Sequence, residues 1–117
     1  MKHEIIDHEI IDVVDDNNNV INQKSRSEVH KLNLKHRSAH IIVINNLNQI
    51  FIQLRSSNKK QFPNKWDISA AGHLDAGESY LKAAKRELLE ELGIYITENK
   101  FQEIGNIAAS ENNGFEF

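Results

Sequence analysis

Cysteine is absent from this 117-residue sequence. That excludes a disulfide, a thiolate metal site and a cysteine nucleophile. No apolar run approaches the roughly 20 residues of a membrane-crossing helix, and there is no signal-peptide core. An excess of one charge is missing too: 14 Lys and Arg stand against 17 Asp and Glu, for a net charge of −3. That balance gives no support for nucleic-acid or membrane binding. No internal repeat is visible, and the abundant asparagines are scattered rather than gathered into a low-complexity tract. A cytoplasmic setting is the default expectation.

What is present is ordinary globular material, 39% hydrophobic and 26% charged, in a length that suits one domain with one core. Residues 4–14 are β-branched and apolar enough for a strand, Asp15–Asn19 reads as a turn, and Val20–Lys24 as the returning strand. This hairpin, about residues 4–24, is expected outside the main sheet or at its edge. Asp12, Asp15 and Asp16 lack the glycine and distal glutamate of a calcium loop, so a plain turn is the reading there. Residues 25–40 are polar and basic. Strands are expected at Ala39–Ile44, Ile50–Leu54, Asp67–Ala71 and Phe101–Ala108, with a turn at Asn45–Gln49.

The most informative stretch is residues 72–94, GHLDAGESYLKAAKRELLEELGI. Ser79 is a good N-cap and Gly93 a natural left-handed C-terminal residue, so a helix is predicted between them. Glu87, Glu90 and Glu91 then fall on one face, with Leu81, Ala84, Leu88 and Leu92 forming an adjacent apolar stripe. Glu90 and Glu91 in the last turn oppose the helix dipole and repel each other and Glu87, each conflict costing from a few tenths to about 1 kcal/mol. A bound cation reverses the sign of all these terms, and an oxygen-only ligand set suits Mg²⁺ or Mn²⁺. The bland alternative is a solvated acidic helix face.

The acidic motif does not stand alone. Gly72, Glu78, Arg86-Glu87-Leu88, Glu90-Glu91 and Gly93-Ile94 reproduce the signature of the Nudix hydrolases, which this stretch closely resembles. Seven fixed identities make a chance match about one in 10⁸ per position. The resemblance implies an α/β fold of the α+β kind, an α/β/α sandwich around a mixed β-sheet. It implies a Mg²⁺- or Mn²⁺-dependent hydrolase of a small-molecule diphosphate. Glu87, Glu90 and Glu91 are then the metal ligands and catalytic carboxylates, Arg86 braces the loop through Glu78, and Gly72 and Gly93 shape it. Relatives continue past the position of Phe117, so later strands and a closing helix are expected to be missing here. An open sheet edge then favours a homodimer.

The flanks SRSEVH, HRSAH and LRSSNKKQFPNKWDISAAGH resemble the branch near type 1 isopentenyl-diphosphate isomerase. In that enzyme an essential cysteine lies two residues before the histidine matching His73. Here the position is Ala71, which can neither donate nor accept a proton, so hydrolysis is expected rather than isomerisation. His30, His36 and His73 match the isomerase's metal-binding histidines, with Glu116 a match for a glutamate ligand. These four define a possible second metal site, or else hydrogen-bonding histidines that hold the loop. Arg26, Arg55, Lys59 and Lys60 are the candidate diphosphate clamp, against the alternative of a solvated basic loop. Nucleoside and isoprenoid diphosphates are the substrate classes in view. A non-catalytic diphosphate-binding domain is the competing class.

Overall fold

Alternation cannot hide five successive β-branched or acidic residues on one face, so the segment IIDVV must be covered on both. The computed structural model describes residues 9–54 and 66–117. In it, strand β1 (Ile10–Val14) has four consecutive buried residues. It pairs antiparallel with β2 (Val20–Ser25), with a bulge between Val13 and Val14. The Asp15 carboxylate closes the intervening turn by accepting from the N–H groups of Asn17 and Asn19. Residues 4–8 of the expected first strand lie outside the described residues.

Ser25 ends β2 and caps helix α1 (Arg26–Lys31), its hydroxyl accepting from the Glu28 N–H. Sequence reasoning left this segment without a helix, although Ser25-x-x-Glu28 has the spacing of a capping box. Val29 on α1 is fully buried against Ile11 and Val13, so hairpin and helix share a small core of their own.

Strand β3 (Ser38–Ile41) pairs antiparallel with β6 (Ala70–His73), setting Ser38 opposite His73 and Ala39 opposite Gly72. Two shorter strands, β4 (Gln53–Leu54) and β5 (Trp66–Asp67), form a third pair. The expected turn at Asn45–Gln49 is held by the Asn45 side chain, which accepts from the N–H groups of Leu47 and Gln49. Where one mixed sheet was expected, the described strands form three antiparallel pairs. The parallel component is the bridge between His36 and Glu116.

Helix α2 (Tyr80–Leu92) begins at Ser79, whose hydroxyl accepts from the Lys82 N–H, and ends at Gly93 in the left-handed region with φ 67°. It buries Ala83 against Ala39 and Leu74, and Leu88 against Ile41 and Ala70. Three members of the expected apolar stripe, Ala84, Leu88 and Leu92, pack into the core; Leu81 is exposed instead, and Tyr80 and Ala83 join the buried side. Residues 101–108, expected as a strand, form none, because no described strand runs beside them and extended backbone without a partner gains no ladder bonds. No described helix is long and apolar enough to cross a membrane.

Candidate functional site

The loop between β6 and α2 and the helix itself position a cluster of carboxylates around one guanidinium. Arg86 donates through Nε to Glu78 Oε2 at 2.9 Å and through Nη2 to Glu78 Oε1 at 2.9 Å, a two-pronged pairing. Nη2 also donates to the His73 carbonyl at 3.0 Å, tying helix to strand. Nη1 reaches Glu87 Oε1 at 2.7 Å and Glu90 Oε1 at 3.1 Å. Arg86 therefore braces Glu78, as expected, and also organises two of the three candidate ligands. Hydrogen bonding to Arg86 holds the Glu78 carboxyl below its ordinary range and raises the guanidinium in turn.

Glu87 is the buried member of the triad, with only 13% of its side chain exposed. Burial first, then a hydrogen bond shared with Glu91, pushes its pKa up to about 6 against the pull of Arg86. Gly72 is what lets this carboxylate in, since a Cβ there would coincide with the Glu87 carboxyl group. Gln53 on β4 donates to the Ser69 carbonyl at 2.8 Å and to Glu91 Oε1 at 3.4 Å. Nothing in the sequence pattern singled out Gln53.

A second cluster lies nearby. The rings of His30, His36 and His73 have centroids 5.0 to 5.4 Å apart, and one nitrogen from each falls within 4.8 Å of the others. Backbone pairing of residues 36–38 with 115–117 brings Glu116 to them, its Oε2 3.6 Å from His36 Nε2 and 3.5 Å from His73 Nδ1. Ser38 Oγ donates to Glu116 Oε1 at 2.9 Å, and His40 Nε2 lies 3.8 Å from the same oxygen. Neither Ser38 nor His40 carried a functional reading from sequence, and no spacing rule would have found them.

The donor set fits a cation. His36 Nδ1 lies 2.9 Å from the Leu34 carbonyl and must donate to it, which leaves Nε2 as a lone pair in a neutral ring. That buried Nε2 and the buried Nδ1 of His73 have no partner within hydrogen-bond geometry, though each lies 3.5 to 3.6 Å from Glu116 Oε2. His73 Nε2 meets His30 Nε2 at 3.1 Å, and three imidazoles and a carboxylate gathered this closely are a donor set that suits a cation.

Both clusters open into one cleft of about 1040 Å³, whose lining includes Arg26, His30, His73, Glu87, Glu90 and Glu116. Glu91 is not part of that lining; it is exposed beside Glu87 on the last turn of α2. Arg26, the first residue of α1, lines the cleft. Arg55, Lys59 and Lys60 lie outside the described residues.

The histidines also set a pH dependence. Burial, with His36 adding to it and Glu116 opposing, pushes His73 from 6.5 down to about 4. Between those values the unfolded chain binds a proton that the folded chain does not. The associated stability is complete above about 6.5 and is lost as pH falls through about 4. Urea midpoints of chelator-treated protein should therefore fall over this window, by on the order of 3 kcal/mol from this group. His73→Gln should flatten the slope, and a native slope that survives the substitution would contradict the assignment.

The Nudix domain profile matches residues 34–115. An uncharacterised Nudix hydrolase of Yersinia pestis is 43% identical over 86 residues, covering 74% of this chain and 47% of that protein. Another from Nostoc is 40% identical over 108 residues, covering 82% of this chain and 64% of its own length. Nudix hydrolase 3 of Arabidopsis thaliana is 44% identical over 82 residues, which is 69% of this chain and 11% of the plant protein. The chain thus spans about half to two thirds of the bacterial relatives and a small part of the plant one. In three dimensions it resembles the crystal structure of DR0079 from Deinococcus radiodurans, with a TM-score of 0.65 and 31% identity over 74% of this chain and 54% of that one. With the residue 72–94 signature folded as a loop and helix around a buried glutamate, and the profile matching most of the sequence, the chain belongs to the Nudix domain family.

Proposed function

We propose that this chain is the catalytic domain of a Mg²⁺- or Mn²⁺-dependent hydrolase that cleaves the diphosphate linkage of a small molecule, a nucleoside or isoprenoid diphosphate. The observation that carries the reading is the shared cleft: Glu87 and Glu90 line one part of it and Arg26 another, with room for a polyphosphate group between them. Glu87, Glu90 and Glu91 hold the ion, and Arg86 with Glu78 keeps two of them oriented. An ion held there lowers the pKa of bound water and neutralises charge on the phosphates. Arg26, together with Arg55, Lys59 and Lys60, binds the diphosphate. His30, His36, His73 and Glu116 hold a second ion, a reading supported by one nitrogen of each ring falling within 4.8 Å of the others and by the buried His36 Nε2 and His73 Nδ1, which lack a hydrogen-bond partner.

Resemblance of the flanks to isopentenyl-diphosphate isomerase puts an isoprenoid diphosphate among the substrates. The cleft wall at Ala71, opposite His40 in the β3–β6 ladder, is a methyl group and cannot relay a proton. Hydrolysis is the chemistry left to the site.

The test is product release from the four ribonucleoside diphosphates and isopentenyl diphosphate, with Mg²⁺ and with Mn²⁺. At least one should turn over, EDTA should reduce the rate to background, and added ion should restore it. Release from none of them with either ion defeats the hydrolase reading. Substrate retention without turnover would then favour a diphosphate-binding domain, and Mg²⁺-dependent double-bond migration would favour an isomerase.

A further inference from the structure

Asp12 lies in the hairpin, ahead of the residues 34–115 that the Nudix profile matches. It is only 5% exposed, between the buried Ile11 and Val13. A carboxylate in that setting is costly unless its oxygens are hydrogen-bonded. One oxygen, Oδ1, accepts from Gln23 Nε2 at 3.0 Å across the hairpin. The other, Oδ2, accepts from the Gly77 N–H at 3.0 Å, 65 residues along the chain.

Gly77 is in the left-handed region, at φ 77°, in the turn that links β6 to α2. Next to it, the Ala76 N–H donates to the Ile10 carbonyl at 3.0 Å. Adjacent residues of the loop are thus gripped by β1. On the other side of the turn, Glu78 accepts from the Asp75 N–H at 2.9 Å and from Arg86, which in turn holds Glu87 and Glu90. The loop is clamped between hairpin and helix. Among the described residues, its hydrogen bonds to the hairpin are one backbone pair and one to a side chain, and Asp12 is that side chain.

We propose that Asp12 is a positioning residue for this loop: it fixes Gly77, hence Glu78, and through Arg86 sets the placement of the glutamates that face the cleft. The role in ion binding rests on the function proposed above, whereas the link to Gly77 does not. Substitution by asparagine can preserve it, because the new amide oxygen still accepts from Gly77 while Gln23 turns its amide to accept from the new N–H₂. Alanine removes both bonds.

Amide hydrogen exchange by NMR and Mg²⁺ calorimetry, each on the native chain, Asp12→Ala and Asp12→Asn, test the proposal. In Asp12→Ala, the Gly77 amide should exchange at least about 10-fold faster. The Val14 amide, bonded to the Lys35 carbonyl, should keep its protection. Mg²⁺ affinity should fall at least about 3-fold, a change that a purely structural role would not produce. Asp12→Asn should restore both readings. An unchanged Gly77 amide or unchanged Mg²⁺ affinity in Asp12→Ala overturns the role. If Asp12→Ala does not fold, Asp12→Thr replaces it, since threonine suits a strand and its hydroxyl stops one bond short of Gly77. Failure of both to fold also overturns the proposal, because Asp12 is then a folding residue. A native chain that takes up no Mg²⁺ counts against the proposed function and against positioning for it, while the exchange data still decide whether Asp12 secures Gly77.

Discussion

Glu91→Gln should lower turnover at least about 100-fold while leaving the protein as stable as before or slightly more so. The two effects have opposite signs for one reason. Glu91 is exposed in the last turn of α2, where its charge opposes the helix dipole and the charge of Glu87. Removing it relieves from a few tenths to about 1 kcal/mol when no cation is bound. The amide can also donate to Glu87, easing the repulsion between two neighbouring carboxylates. With a divalent ion present the balance inverts, because a neutral amide is a poor ligand for Mg²⁺. Urea midpoints and turnover measured on the same preparation check the pair of effects. Native-like turnover in this variant would remove Glu91 from the site.

Gly72→Ala should separate function from stability in a second way. The added Cβ would occupy the position of the Glu87 carboxyl group. What it meets is the far end of a flexible side chain, so Glu87 can swing away and the fold loses little. Gly72 has no left-handed backbone to protect, and alanine in a strand restricts the unfolded chain more than glycine does. The net stability change should stay within about 1 kcal/mol. Turnover should drop at least about 100-fold, since the most buried carboxylate of the cluster no longer points where it did. Full activity in this variant would mean that the position of Glu87 is irrelevant to the reaction.

The legible part of this protein was the part governed by local rules. Ser79 and Gly93 bound α2 because a hydroxyl cap and a left-handed terminus depend on neighbouring residues alone. The same logic was available at Ser25 and Glu28 and would have located α1. Helical periodicity put Glu87, Glu90 and Glu91 on one face and brought Ala84, Leu88 and Leu92 into the core, but how far the buried face would spread round the helix depended on other elements. Tyr80 and Ala83 therefore packed inward and Leu81 did not. Residues 101–108 had strand composition but no neighbour to pair with. Glu116 could be matched to the histidines only through a family resemblance, because its approach depends on a parallel bridge across 80 residues. Asp12 read as a turn carboxylate, and only the packed loop shows what it holds.

Arg86 has one further consequence. Its fork occupies one oxygen each of Glu87 and Glu90, so these long side chains are already restrained before any ligand arrives. A flexible glutamate loses rotamer freedom when it coordinates an ion, and here that loss has been met during folding. Under the proposed function, the carboxylates form a receptor organised in advance, in which affinity owes as much to disorder already removed as to charge.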